Sequence, residues 1–194
     1  MFKKDTEKAL TEADITFSLL RSRRRTIAVQ VRPGGEVIVR APLHLSERKI
    51  RRFVSEHSDW IRRNTEKLAR AAAEAEPLSE TELKSLAKQA ALYFSEKATV
   101  YAERVGVTYG RITIRHQKTR WGSCSAKGNL NFNCLLMLAP EEVREYVIVH
   151  ELCHRLEMNH SPRFWAEVER VCPDYRKYRK WLKVNGPRIQ ARQL

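Results

Sequence analysis

The residues best equipped for chemistry lie in one run: His150-Glu151-Leu152-Cys153-His154-Arg155-Leu156-Glu157-Met158-Asn159-His160. It contains the pattern HExxH, with a third histidine ten positions after the first. On a helix, positions i and i+4 share a face, so His150 and His154 can point at one metal ion. Glu151 can then face a water on that metal instead of the metal itself. Three imidazoles with an open fourth position suit zinc-assisted hydrolysis, with Zn2+ as the expected cofactor and Glu151 as the expected catalytic base. Two blander readings compete: a chance HExxH in an ordinary helix, and a structural zinc site. Structural zinc more often takes four protein ligands and has no adjacent glutamate.

The helix that carries this set must start, be buried and stop in the right places. Ala139-Pro140-Glu141-Glu142 reads as its start, because proline is tolerated in the first turn and acidic residues suit the positive end of the dipole. Val143, Val147, Ile148, Val149, Leu152 and Leu156 make it largely apolar, which predicts burial. Buried histidines and glutamates need partners, and a divalent cation would supply one. A straight helix would point His160 well away from His150. The chain must therefore turn between His154 and His160. Asn159 is the expected left-handed terminator. Ser161-Pro162 reads as the N-cap and first position of a new helix. Carboxylates are the rivals of His160 as third ligand: Glu157, or Glu167 and Glu169 from the next helix.

Around this site, the Arg120-Trp121-Gly122-Ser123-Cys124 segment is the candidate cleft wall. Gly122 allows close backbone approach, and Arg120 can bind an anionic group. The alternative is that Trp121 is core and Arg120 pairs with a carboxylate. Hydrolysis at a carbonyl also needs a second oxyanion donor. Tyr175, His116 and Arg120 are the candidates. Phe164 and Trp165 are expected to bury the next helix.

Alternation predicts strands over 15–21, 26–32 and 36–41, with a hairpin at Pro33-Gly34-Gly35. Ser46-Glu47 caps a helix carrying Ile50, Phe53, Val54, His57, Ile61 and Leu68 on one side, continuing through Ala75 to Pro77. His57 reads as a boundary residue. Ser79 and Glu82 form a capping box ahead of Leu83, Ala87, Ala90, Phe94, Ala98 and Tyr101. Residues 111–115, 120–124 and 130–134 read as strands, the last two flanking Lys127-Gly128-Asn129. The layout is α+β. Residues 1–76 form a basic lobe of β-hairpin and long helix, and 77–194 a catalytic lobe with the HExxH helix beside a small sheet, or the two make one continuous domain.

Composition narrows the class. At 194 residues, 42% hydrophobic and 31% charged, the chain has the make-up of a globular protein. No apolar run is long enough to span a bilayer, so no membrane partner is expected. The first eight residues lack the apolar stretch of a signal peptide, and the four cysteines form no CxxC, which points to reduced thiols in the cytoplasm. The net charge is +14, and the first 70 residues hold 17 Lys and Arg against 9 Asp and Glu. Such a field attracts nucleic acid, nucleotides or acidic proteins, unless it is simply a solvated basic face. Aromatic residues are sparse there, so a stacking platform for single strands has little support.

Three segments carry a resemblance: Lys118-Thr-Arg-Trp-Gly-Ser-Cys124, Tyr146-Val-Ile-Val-His-Glu-Leu-Cys-His154 and Asn159-His-Ser-Pro-Arg-Phe-Trp165. With Ser22-Arg-Arg-Arg-Thr26 and Pro173-Asp174-Tyr175, they resemble the YgjP-like metallopeptidase family, a group of zincin-like proteins related to the SprT and WLM families. The likeness spans roughly residues 15 to 184. The spacing is also similar to the HExxHxxGxxH of metzincins, but Glu157 stands where their glycine would be. The resemblance implies a zincin-like site at His150, His154 and His160 with Glu151 as base. Arg120, Trp121 and Tyr175 are the residues expected to bind substrate there. A small cytoplasmic zinc metallopeptidase acting on peptide or protein is the leading expectation. A metal-dependent nucleoside triphosphate pyrophosphohydrolase is the alternative, followed by a nucleic-acid-associated SprT-like protease.

Overall fold

The computed structural model describes residues 7–32, 35–117 and 119–192. The chain divides into two compact units, Met1–Ala75 and Glu76–Leu194. The architecture is α+β. No described helix is long and apolar enough to cross a membrane.

The first unit is a four-stranded sheet with two helices. Strands β1 (Glu7–Glu12), β2 (Ile15–Ser22), β3 (Ala28–Val31) and β4 (Val37–Pro42) lie in the order β1-β2-β4-β3. β2 and β4 are parallel, and the other pairs are antiparallel. Alternate residues Phe17, Leu19, Val37, Val39 and Ala41 turn to one face, the period-two pattern of a strand. Helices α1 (Glu47–Glu56) and α2 (Ser58–Ala73) cover them with Ile50, Val54 and Ile61. Ser46 caps α1 by accepting from Lys49 N–H at 3.4 Å.

Two expectations are corrected in this unit. The single long helix is two, because the backbone breaks at His57 (φ −110°, ψ 10°), whose Nδ1 lies 2.8 Å from the Phe53 carbonyl. Strand β1 is additional. It joins β2 through Ala13 and Asp14, both with positive φ, as a two-residue hairpin requires. Of the expected hairpin turn at 33–35, Pro33 and Gly34 lie outside the described residues.

In the second unit, α3 (Glu80–Val105) opens with the expected capping box. Ser79 Oγ accepts from Glu82 N–H, and the Glu82 carboxylate accepts from Ser79 N–H. A three-stranded sheet follows, β5 (Ile112–Arg115), β6 (Gly122–Cys124) and β7 (Leu130–Asn133), in the order β5-β7-β6. β5 is parallel and β6 antiparallel to β7. A 3-10 turn (Cys134–Leu138) leads into α4 (Glu141–Cys153), then α5 (Pro162–Val171) and α6 (Tyr175–Ala191). Phe94 of α3 stacks on Phe132 of β7 with centroids 4.4 Å apart, joining helix and sheet into a core with Leu130, Ile148, Leu152 and Phe164.

Candidate metal centre

Helix α4 is buried over most of its circumference through Val143, Tyr146, Val147, Ile148, Val149, Leu152 and Cys153. It therefore carries His150 and Glu151 into the interior. The helix ends earlier than expected, at Cys153, with His154 as its C-cap. Asn159 is not left-handed, since Ala13 and Asp14 are the non-glycine residues with positive φ among those described. A run of turns after Cys153 reverses the chain instead, and Leu156, beyond the helix, is exposed. Ser161 then caps α5 by accepting from Phe164 N–H, with Pro162 in the first turn.

The outcome is convergence. One ring nitrogen from each of His150, His154 and His160 lies within 4.8 Å of the others. The Nε2 atoms of His150 and His160 are 3.0 Å apart. Ring nitrogens bound at about 2.0–2.1 Å to one tetrahedral zinc would be roughly 3.3 Å from each other, so the donor set is of the right size. Nδ1 of His154 donates to the Glu157 carbonyl at 3.1 Å, which leaves Nε2 as the lone-pair nitrogen. Burial holds both His150 and His154 below the usual histidine range, His150 at about 3, with the neighbouring histidines adding to the effect. Neutral imidazoles are what a cation needs. The Nδ1 atom of His150 is buried and has no hydrogen-bond partner.

Phe164 forms the floor of the cluster. Its ring centroid is 4.9 Å from His150, 4.5 Å from His154 and 4.9 Å from His160. Trp165 stacks on His160 at 5.7 Å, and Tyr175 stacks on Trp165 at 5.1 Å. These rings pack against the imidazoles on one side. Their role extends past burying α5. The signal lay in their place directly after the Ser161-Pro162 cap.

Glu151 is 6% exposed, and burial pushes its carboxyl up to about 8, against the opposing effects of the Arg120 charge and a hydrogen bond from Cys124 N–H. Strand β6 passes so close that a Cβ on Gly122 would be 2.6 Å from Glu151 Oε1. Gly122 is thus the point where the strand touches the glutamate, and only a residue without a side chain fits.

The remaining expected site residues fall in different places. Arg120 is exposed, two residues before the start of β6. Trp121 is half-buried against the core, where it packs on Gly186 of α6. Tyr175 is buried, and its hydroxyl accepts from Arg176 Nε at 3.2 Å. His116 is exposed beyond β5. The rival carboxylates are otherwise engaged. Glu157 accepts from Asn159 N–H, Glu167 pairs with Arg170 at 3.0 Å, and Glu169 pairs with Arg176 at 3.5 Å. Asn133 is a supporting residue that the spacing did not reveal. It is buried, donates to the carbonyls of Gln117 and Arg120, and accepts from Leu135 N–H, which fixes the segment leading into β6.

A family model described as YgjP-like, metallopeptidase domain, matches residues 25–86 and 82–185. Among solved structures, the metallopeptidase zymogen of Pyrococcus abyssi abylysin is 24% identical. It covers 46% of this chain and 91% of that chain, with a TM-score of 0.42. The metallopeptidase zymogen of Methanocaldococcus jannaschii jannalysin is 22% identical and covers 46% of this chain and 96% of that chain, with a TM-score of 0.39. No curated protein matches.

Proposed function

The chain belongs to the YgjP-like metallopeptidase family and is a metal-dependent hydrolase, and from that premise we propose that it is a zinc peptidase of zincin-like design. In this reading His150, His154 and His160 hold the ion and Glu151 is the general base. The observation that carries it is the convergence of three lone-pair nitrogens beside a buried carboxylate. An all-imidazole donor set suits zinc better than magnesium, which favours oxygen ligands.

When bound, the cation would polarise the scissile carbonyl and lower the pKa of the attacking water. Glu151 accepts that water's proton on its carboxylate as the oxygen adds to the carbonyl carbon. It returns the proton to the amide nitrogen as the C–N bond breaks. Cys124 N–H holds the carboxylate in place, and Gly122 allows the approach. Phe164 packs against all three imidazoles.

Strand β6 supports a peptide substrate. Trp121 O and Ser125 N bond to Asn133 and Asn129, so odd-numbered residues of this strand face β7. The backbone groups of Gly122 and the Cys124 carbonyl face the other edge, where an extended peptide can add as a strand beside the Cys124 N–H that Glu151 occupies. Arg120, at the end of that edge, is the substrate-binding side chain. Trp121 and Tyr175 shape the site from within the core. Four free cysteines accord with a reducing, cytoplasmic setting.

The test is an activity panel with zinc-loaded protein and its Glu151→Gln variant on unfolded proteins and on nucleoside triphosphates, with metal content measured on the same samples. Proteolysis that falls about 10²–10⁴-fold in the variant at unchanged zinc content is the expected result. Full proteolysis by the variant, or release of pyrophosphate as the Glu151-dependent activity, would overturn the reading.

A further inference from the structure

We propose that this site selects substrates with an anionic group beside the scissile bond, held by Arg120 and Arg179. The proposal rests on the metallopeptidase reading above and names the substrate class for it.

Arg179 is positioned by helix α6, one turn after Tyr175 and on the same face. Tyr175 is buried and stacked on Trp165, so Arg179 is brought to that ring as well. Its Cζ lies 4.7 Å from the Trp165 ring centroid. The Trp165 ring is in turn 5.7 Å from both His150 and His160. The guanidinium thus rests on an aromatic platform whose other neighbours are two of the three imidazoles. An arginine so stacked is partly pre-organised, so less freedom is lost when it grips a ligand.

Arg120 belongs to a different segment, the exposed entrance to β6. Two residues after it, Gly122 touches Glu151. Its main chain is pinned by Asn133 Nδ2, 3.0 Å from the Arg120 carbonyl.

Three other arginines of this unit are engaged elsewhere, and what sets Arg120 and Arg179 apart from the rest is their place beside Glu151 and Trp165. Arg155 donates to the carbonyls of Thr108 and Ala126, Arg170 to Glu167 and to the end of α3, and Arg176 to Glu169 and Tyr175. Among the described residues, the Arg120 and Arg179 guanidinium groups make no ion pair and donate no hydrogen bond. Two unspent guanidinium groups on segments that reach a site which also takes a cation make it positive, while its one buried carboxylate is committed to the chemistry. A guanidinium matches the two oxygens of a carboxylate or phosphate. A lysine side chain beside the scissile bond would be repelled. The shared chemistry is an oxyanion, supplied by an acidic residue of a peptide or by a nucleotide phosphate.

The experiment measures binding to zinc-loaded Glu151→Gln protein. The probes are three labelled peptides that differ only in Asp, Ala or Lys beside the central amide, and ATP as the phosphate source. The Asp peptide is expected to bind about ten-fold tighter than the Ala peptide, the size of one charge-assisted contact, with Lys weakest and the preference reduced by salt. Adding Arg179→Gln or Arg120→Gln should each remove several-fold of that preference at unchanged zinc content. Adding Arg188→Gln, elsewhere on α6, should leave it intact. Tighter ATP binding with the same arginine dependence supports the oxyanion and assigns it to phosphate. Equal affinity for the three peptides, or a preference that survives both substitutions, overturns the proposal. Failure of the peptidase reading looks different: no peptide is cleaved by the wild-type enzyme, while the binding preference is unaffected.

Discussion

Helices α1 and α4 represent two uses of burial. In α1, Ile50 and Val54 are buried and the rest of the surface is largely charged: Arg48, Lys49 and Arg52 face solvent, while Arg51 bonds to Glu47 and to the Thr11 carbonyl. Its apolar stripe covers a sheet. In α4, eight of thirteen residues are buried, including Glu151. The three buried polar side chains among the described residues, Asn133, Glu151 and His154, all belong to the second unit. Burying a carboxyl opposes folding unless something compensates it. The first unit avoids that cost and the second accepts it, in the helix that carries the candidate metal cluster.

This contrast can be broken experimentally. The largest effect is expected from His154→Ala, which should abolish tight zinc binding and lower peptidase activity to background. Metal analysis and turnover check it, and retained zinc would move the centre elsewhere. Next is Phe17→Ala, a fully buried residue of the first unit, which should destabilise that core by about 3–5 kcal/mol. Trp60 is the tryptophan of this unit, so its fluorescence should report an earlier transition than Trp121, Trp165 and Trp181 do. Coincident transitions at all four would show that the two cores unfold together.

A smaller effect is expected from Gly122→Ala. The added methyl meets Glu151, so kcat should fall about 10–100-fold, with little change in KM or zinc content. An unchanged kcat would separate β6 from the chemistry. The smallest concerns Ser79. Its bonds hold the Glu82 carboxyl below its ordinary range, so this stabilisation is present above the unfolded-state pKa and fades as pH falls through the depressed one. Ser79→Ala should therefore lower the melting temperature slightly at neutral pH, with the difference narrowing in acid. A constant gap would remove Glu82 from the cap.

Local rules were the legible part of this structure. The Ser79 box and the Ser161-Pro162 cap follow from two or three side chains and their neighbouring backbone, and the period-two strands from simple alternation. What escaped had weak local signals. β1 buries only Leu10 among its residues of described burial, and its turn uses Ala13 and Asp14 at positive φ with no glycine to announce it. The break at His57 is silent because Ile50, Val54 and Ile61 stay in phase across it. Helix α6 is dense in lysine and arginine and contains Pro187, so its pattern is faint. At the site, spacing conveys that His160 must return towards His150. It does not convey that Phe164 underlies all three rings, that Asn133 fixes the strand entrance, or that α6 brings Arg179 to Trp165, since those contacts join distant segments.

Both sheets share a topological habit. β4 is the last strand of the first sheet in the chain and lies inside it, and β7 holds the same position in the second. During synthesis, β3 leaves the ribosome with nothing to pair against until β4 follows, and β5 and β6 wait in the same way for β7. Each sheet is complete only when its last-synthesised strand lies between the others. The 3-10 turn and α4 come directly after β7. The three histidines are therefore translated after every strand of the sheet that precedes them.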